Sequence, residues 1–205
     1  MEIPKYINAL FSDSNGDTIK VKLSTQPFVS GSIDTVVNWM VSNPIGNVDM
    51  PDIKSGLTLF FLACRYNPND DLIIWLIETG ETNLGFVNSN GDSVLEYLAK
   101  SVFNSPQISS RIKLLLKYHS FEFDRKNKFG DTLFEIFCYS GYLDVIQQIC
   151  SNGYCPDKEN IDYLIKKINS IITEECDDYW SLDEVDEEFL LNSLDKVNVF
   201  LESQK

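Results

Sequence analysis

Apolar residues gather along this chain in short runs at helical spacing, and three of the runs share one opening. Leu59-Phe60-Phe61-Leu62-Ala63-Cys64, Val94-Leu95-Glu96-Tyr97-Leu98-Ala99 and Leu133-Phe134-Glu135-Ile136-Phe137-Cys138 follow Gly56-Leu57-Thr58, Gly91-Asp92-Ser93 and Gly130-Asp131-Thr132 in turn. Each reads as a short helix. The glycines stand 35 and 39 residues apart, a period that marks stacked repeats, which serve as binding surfaces far more often than as enzymes. Two longer amphipathic segments close the chain. Ile161, Leu164, Ile165, Ile168, Ile171 and Ile172 share a face within 157–175, and Val185, Phe189, Leu190, Leu194, Val197, Phe200 and Leu201 share one in a last helix.

The three copies resemble the ankyrin repeat. In that family the glycine takes a hairpin turn, the Thr or Ser caps an inner helix by accepting orphaned backbone N–H groups, and a second, outer helix follows. The third copy matches best, with Ser140-Gly141-Tyr142 between its helices and Gly153 closing the outer one. The outer helix of the first copy is expected over Asp71 to Gly80 after a long Tyr66-Asn67-Pro68-Asn69-Asp70 loop, and that of the second over Ile108 to Tyr118 after a loop containing Pro106. Upstream, Gly31 to Val41 looks like the outer helix of a divergent first repeat, with its turn at Asn15-Gly16-Asp17-Thr18. Ile19-Lys20-Val21-Lys22-Leu23 alternates apolar with basic residues and reads equally as a strand.

The resemblance implies an all-α fold: an ankyrin-like solenoid of about four helix-turn-helix repeats with short hairpin loops and a C-terminal helical cap. The expected stack covers 1–156, with the first repeat at 14–46 and full repeats at 50–84, 86–122 and 125–156. The cap covers 157–205. Two departures stand out. The usual Pro after the Thr is replaced by Leu59, Val94 and Leu133, and the usual His two places on by Phe61, Glu96 and Glu135. That His stitches neighbouring hairpins together, so its loss predicts junctions that rely more on apolar packing, modest stability and irregular stacking.

Composition agrees with an elongated soluble domain. The chain has 205 residues, 43 % of them hydrophobic, and no stretch reaches the ~18 apolar residues of a membrane span. No secretory or transit signal is read at the start. The five cysteines, Cys64, Cys138, Cys150, Cys155 and Cys176, are odd in number and mostly in apolar settings. They suit reduced thiols in the cytosol or nucleus.

A formal charge of −14 argues against phosphate-backbone binding to nucleic acid, which needs clustered Lys and Arg. The acids concentrate within 174–188, where Glu174, Glu175, Asp177, Asp178, Asp183, Glu184, Asp186, Glu187 and Glu188 interleave with Tyr179 and Trp180. Such a run is a solvated loop or a helix start. It is also the kind of patch that grips a basic segment, charge steering the encounter and rings holding cationic stems. Asp183-Glu184-Val185-Asp186 matches an executioner-caspase tetrapeptide, and Ser181 with Glu184 an acidophilic kinase site, but any acidic stretch produces both patterns.

Catalytic chemistry is hard to find. The single histidine, His119, falls where a loop is expected, and it cannot support a Ser-His-Asp arrangement without a partner motif. No Gly-rich phosphate loop follows a strand. Cys150 and Cys155 have a spacing zinc tolerates, yet further ligands would have to come from Cys176 and His119 alone. No cofactor or metal is expected.

Carried over position by position, the family's partner-facing positions are Lys54, Ser55, Leu57, Arg65 and Tyr66 in the first full copy, Ser89, Asn90, Asp92, Lys100 and Ser101 in the second, and Lys128, Phe129, Asp131, Tyr139 and Ser140 in the third. Phe129 and Tyr66 lead, because exposed aromatics contribute most once a partner seals them from water. Trp180, Asp183, Glu184, Asp186, Glu187 and Glu188 join them from the acidic segment. The function expected is a non-catalytic adaptor or dedicated chaperone, monomeric by itself, holding another protein with a basic surface and touching neither nucleic acid nor membrane. The alternative is a regulatory or assembly subunit docking through its cap.

Overall fold

The computed structural model describes residues 5–12, 18–43, 47–101, 104–173 and 187–205. Among these the chain is mostly helical, with ten helices and one two-stranded sheet. It divides into two units: Met1–Tyr97 with Tyr118–Phe121 and Asn127–Phe129, and Leu98–Lys117 with Glu122–Lys126 and Gly130–Lys205.

The first unit begins with a hairpin. Strand β1 (Tyr6–Ser12) pairs antiparallel with β2 (Thr18–Ser24), setting Ile7 opposite Leu23, Asn8 opposite Lys22 and Ala9 opposite Val21. Ile7, Ala9 and Leu23 are buried, while Tyr6, Leu10, Lys20 and Lys22 are exposed on the other face. A helix over the same residues would scatter Val21 and Leu23 around its circumference, whereas a strand collects them on one side. The segment read as a divergent first repeat thus forms a strand, one of the two readings open to its alternating residues, and the fold is mainly α rather than all-α. Its expected turn at Gly16 lies outside the described residues.

Helix α1 (Gln26–Ser30) carries Pro27 in its first turn, where a missing N–H costs nothing. Helix α2 (Ile33–Ser42) is capped by Ser32, whose Oγ accepts from the Thr35 N–H at 3.3 Å. Phe28 and Trp39 meet edge to face at 4.9 Å. In α3 (Leu59–Tyr66), capped by Thr58, every residue from Leu59 to Cys64 is buried. Helix α4 (Asp70–Glu78) is capped by Asn69 and buries Leu72, Ile73 and Leu76. Buried Asn67 joins the two pairs: its Nδ2 donates to the Phe28 and Gly31 carbonyls at 2.9 and 3.0 Å, and its Oδ1 accepts from the Asn69 N–H at 2.8 Å.

Helix α5 (Val94–Ser101) and, in the second unit, α7 (Leu133–Tyr139) start with capping boxes. Glu96 accepts from the Ser93 N–H at 2.5 Å while the Ser93 hydroxyl accepts from the Glu96 N–H at 3.4 Å. Glu135 and Thr132 repeat the exchange at 2.8 and 3.3 Å. Both exchanges are local, each closing the first turn of its own helix. Phe61, at the same helical position in α3, does pack apolarly, its ring centroid 5.6 Å from Tyr97 and 6.3 Å from Phe86.

The rest of the second unit comprises α6 (Pro106–Leu115), α8 (Leu143–Ser151), α9 (Lys158–Thr173) and α10 (Glu187–Glu202). Helix α8 packs on α6 and α7, and α9 and α10 close over α7. The α9 face expected from sequence is the buried one, through Ile161, Leu164, Ile165, Ile168 and Ile171. In α10, Leu194, Val197 and Leu201 are buried but Phe189 is 48 % exposed, having left the face expected to hold it. Asp144 accepts from Ser109 Oγ at 2.6 Å and Lys113 Nζ at 2.5 Å. Burial alone would raise its carboxyl, and these bonds outweigh burial to hold it below the usual value.

Candidate functional site

Three turns precede α3, α5 and α7, and an Asx side chain organises each of them. Asp52 accepts from the N–H groups of Lys54 at 3.1 Å and Ser55 at 3.0 Å, from Ser55 Oγ at 3.0 Å, and from the Asn8 N–H at 2.9 Å. Burial pushes this carboxyl upward, but the four donors prevail and its pKa is lowered. Asn88 Oδ1 accepts from the N–H groups of Asn90 at 2.8 Å and Asp92 at 3.0 Å. Asn127 Oδ1 accepts from the Phe129 N–H at 2.9 Å. Such side chains imitate a backbone turn and fix the residues after them.

Within the first unit these tips are joined by their main chains. The Ile53 N–H donates to the Asn8 carbonyl at 2.7 Å, Ser89 to Ser55 at 3.1 Å, and Lys128 to Asn90 at 2.9 Å. Gly56 makes the approach possible: its φ is +67°, and a Cβ there would lie 2.4 Å from the Ser89 nitrogen. The tips so aligned expose Ile53, Lys54, Asn90, Lys128 and Phe129, the last 68 % open to solvent.

Several sequence-derived site residues therefore belong to one surface of the first unit. Lys54, Asn90, Lys128 and Phe129 are exposed there, and Leu57 is half-buried beside them. Arg65 and Tyr66 are half-buried at the end of α3, with the guanidinium 5.1 Å from the ring centroid. Burial raises the Tyr97 phenol, and its hydrogen bond with Tyr66 adds to the shift.

Asp92 is corrected to an interior residue. It is 3 % exposed and accepts a 3.0 Å hydrogen bond from Asn127 Nδ2, so a partner cannot reach it. Two further corrections fall in the second unit. Tyr139 is 1 % exposed, and Lys167 Nζ from α9 lies 4.3 Å from its ring centroid. The same ammonium pairs with Asp131 at 3.1 Å, leaving the Asp131 side chain only 14 % exposed. Helix α9 occupies what the third copy is expected to offer a partner. Lys100 is half-buried.

Of the acidic segment, Trp180, Asp183, Glu184 and Asp186 lie outside the described residues; Glu187 begins α10 and Glu188 is exposed. Ile53 was missed by sequence reasoning, although an apolar residue inside a polar turn was a usable signal. The hairpin's outward Tyr6 and Leu10 were missed as well.

His119 is exposed in its loop, edge-on to Phe121 at 4.8 Å. Cys64 and Cys138 are buried thiols, Cys150 is half-buried and Cys155 exposed. Burial lifts the Cys150 thiol to about 11, with neighbouring Cys155 adding to the effect. Among the described residues no group of three or more His, Cys, Asp or Glu could hold a metal ion, and no helix is long and apolar enough to cross a membrane.

No protein-family model matches the chain, and the search of curated proteins returns no significant match.

Proposed function

We propose that this chain is a non-catalytic protein-binding module, an adaptor or dedicated chaperone built as an ankyrin-like stack of helix pairs with a helical cap. The observation that carries the reading is the row of tips in the first unit, locked by main-chain hydrogen bonds and bearing exposed Ile53, Lys54, Lys128 and Phe129. A bonded row that displays an aromatic ring and an aliphatic side chain amid lysines is suited to grip a protein surface. The left-handed glycines at Gly56, Gly91 and Gly130, each three residues before an inner helix, support the repeat assignment. The acidic segment 174–188 supplies a second contact, for a basic part of the partner, in the cytosol or nucleus.

The test is affinity capture from the native cell with the full chain, comparing wild type, Ile53→Ala/Phe129→Ala, and a variant with Asp183, Glu184, Asp186, Glu187 and Glu188 changed to Asn or Gln. Loss of one discrete protein in the first variant, with an unchanged thermal melt, supports the tip surface. Loss in the second, together with salt sensitivity of the wild type, supports the acidic contact. Capture indifferent to both variants overturns the reading.

A further inference from the structure

The outer edge of β2 carries a specific inference. Asn8 turns both of its main-chain groups away from β2, giving its N–H to Asp52 Oδ1 at 2.9 Å and taking the Ile53 N–H on its carbonyl at 2.7 Å. Asn8 stands opposite Lys22. In an antiparallel pair the members of such a non-bonded pair both point their main-chain groups outward. Lys22 thus presents its N–H and C=O on the far side of β2, and Lys20 and Ser24 do the same at two-residue intervals. Among the described residues the sheet has two strands, and β2 has only β1 beside it. The tips of the first unit extend the β1 side and leave the β2 side as a seven-residue edge. An open strand edge is a template for another strand.

We propose that β2 receives an extended segment of the bound protein as a third strand, one in which acidic residues alternate with apolar ones; this rests on the protein-binding reading above. Side chains on one face of the added strand would lie beside exposed Lys20 and Lys22, where carboxylates pair well. Those on the other face would meet half-buried Val21 and buried Leu23, where apolar groups belong. The Lys22 ammonium already sits 4.0 Å from the Tyr6 ring centroid, holding the outward face in register. A second copy of this chain is a poor occupant, because antiparallel pairing centred on Val21 would set Lys20 against the copy's Lys22, and opposed like charges destabilise a sheet. The lysines that discourage self-association select an acidic strand.

The experiment titrates the isotopically labelled full chain with a fluorescein-tagged heptapeptide of alternating Glu and Val, following backbone amide signals and anisotropy. Expected are saturable binding, shifts centred on the Lys20, Lys22 and Ser24 amides, and loss of binding when alternate peptide nitrogens are methylated. Lys20→Glu/Lys22→Glu should weaken affinity by about tenfold or more. Lys22→Pro, which removes an outward N–H that β1 does not use, should weaken it similarly; should that variant misfold, the charge reversal decides alone. Absence of saturable binding, equal binding of a peptide with its Glu and Val in separate blocks, or indifference to the charge reversal overturns the proposal. If capture of the cellular protein falls in Phe129→Ala but survives the charge reversal, the protein-binding reading stands and this strand site does not.

Discussion

The Asn127 side-chain amide donates to the Asp92 carboxylate across 3.0 Å, and Asp92 is 3 % exposed. A residue that looks like an ordinary polar turn position is therefore part of the scaffold. Asp92→Ala should cost about 1–3 kcal/mol, since it strands a buried donor. Asn90→Ala, two residues away and exposed, should stay within about 0.5 kcal/mol. Urea denaturation measures both, and Asp92→Ala/Asn127→Ala should cost less than the sum of its parts. Equal, negligible effects would return Asp92 to the surface.

The third helical position of α3, α5 and α7 holds Phe61, Glu96 and Glu135, and it packs a ring in the first while closing a capping box in the other two. Glu135→Ala should lose about 1 kcal/mol by breaking its capping box, and Glu135→Gln should retain most of the stability. Phe61→Ala removes a ring 1 % exposed and should lose about 3–5 kcal/mol. Thermal melts of the three variants check the ranking.

Acid should weaken the first tip through Asp52. Its folded pKa lies below the ordinary carboxylate value, so its contribution to stability is full above the unfolded pKa and disappears as pH falls through the folded one. Asp52→Asn cannot ionise. Its melting temperature should change less than that of wild type between about pH 5 and pH 2, as calorimetry would register. Parallel decline in the two proteins would show that other carboxylates govern the acid transition.

Tyr139→Phe and Asp131→Asn should leave partner capture unchanged, because α9 covers both side chains through Lys167. Phe129→Ala should reduce it. A biotinylated bait with quantified prey gives the comparison, and reduced capture in Tyr139→Phe would mean that α9 yields its place to the partner.

Much of the helical order was legible because caps and periodicity agree: Thr58, Ser93 and Thr132 each stand immediately before a helix, and α9 buries the face its isoleucines mark. Helix α1 was not, since five residues containing Pro27 are too few to display a period. Strand β1 was hidden by its apolar outward residues, Tyr6 and Leu10, which blur the alternation that Lys20 and Lys22 make plain in β2. At the candidate site, exposure of Lys54, Lys128 and Phe129 followed from their place before a turning glycine. Burial of Asp92, Asp131 and Tyr139 did not, because the residues that cover them, Asn127 and Lys167, lie 35, 36 and 28 positions away and carry no local signal.

The main-chain bond from Ser89 to Ser55, with the Gly56 backbone pressed against it, leaves these tips little tolerance of added length. An extra residue between Ser55 and Gly56 would slip the tips out of step and bring a side chain against a neighbouring backbone. Extra residues between Asn67 and Asn69 are no safer although Pro68 is exposed, because they would part the Asn69 N–H from Asn67 Oδ1, 2.8 Å away, at the joint between the helix pairs. Any lineage descended from this chain should therefore collect almost no insertions at these tips or at the Asn67–Asn69 step.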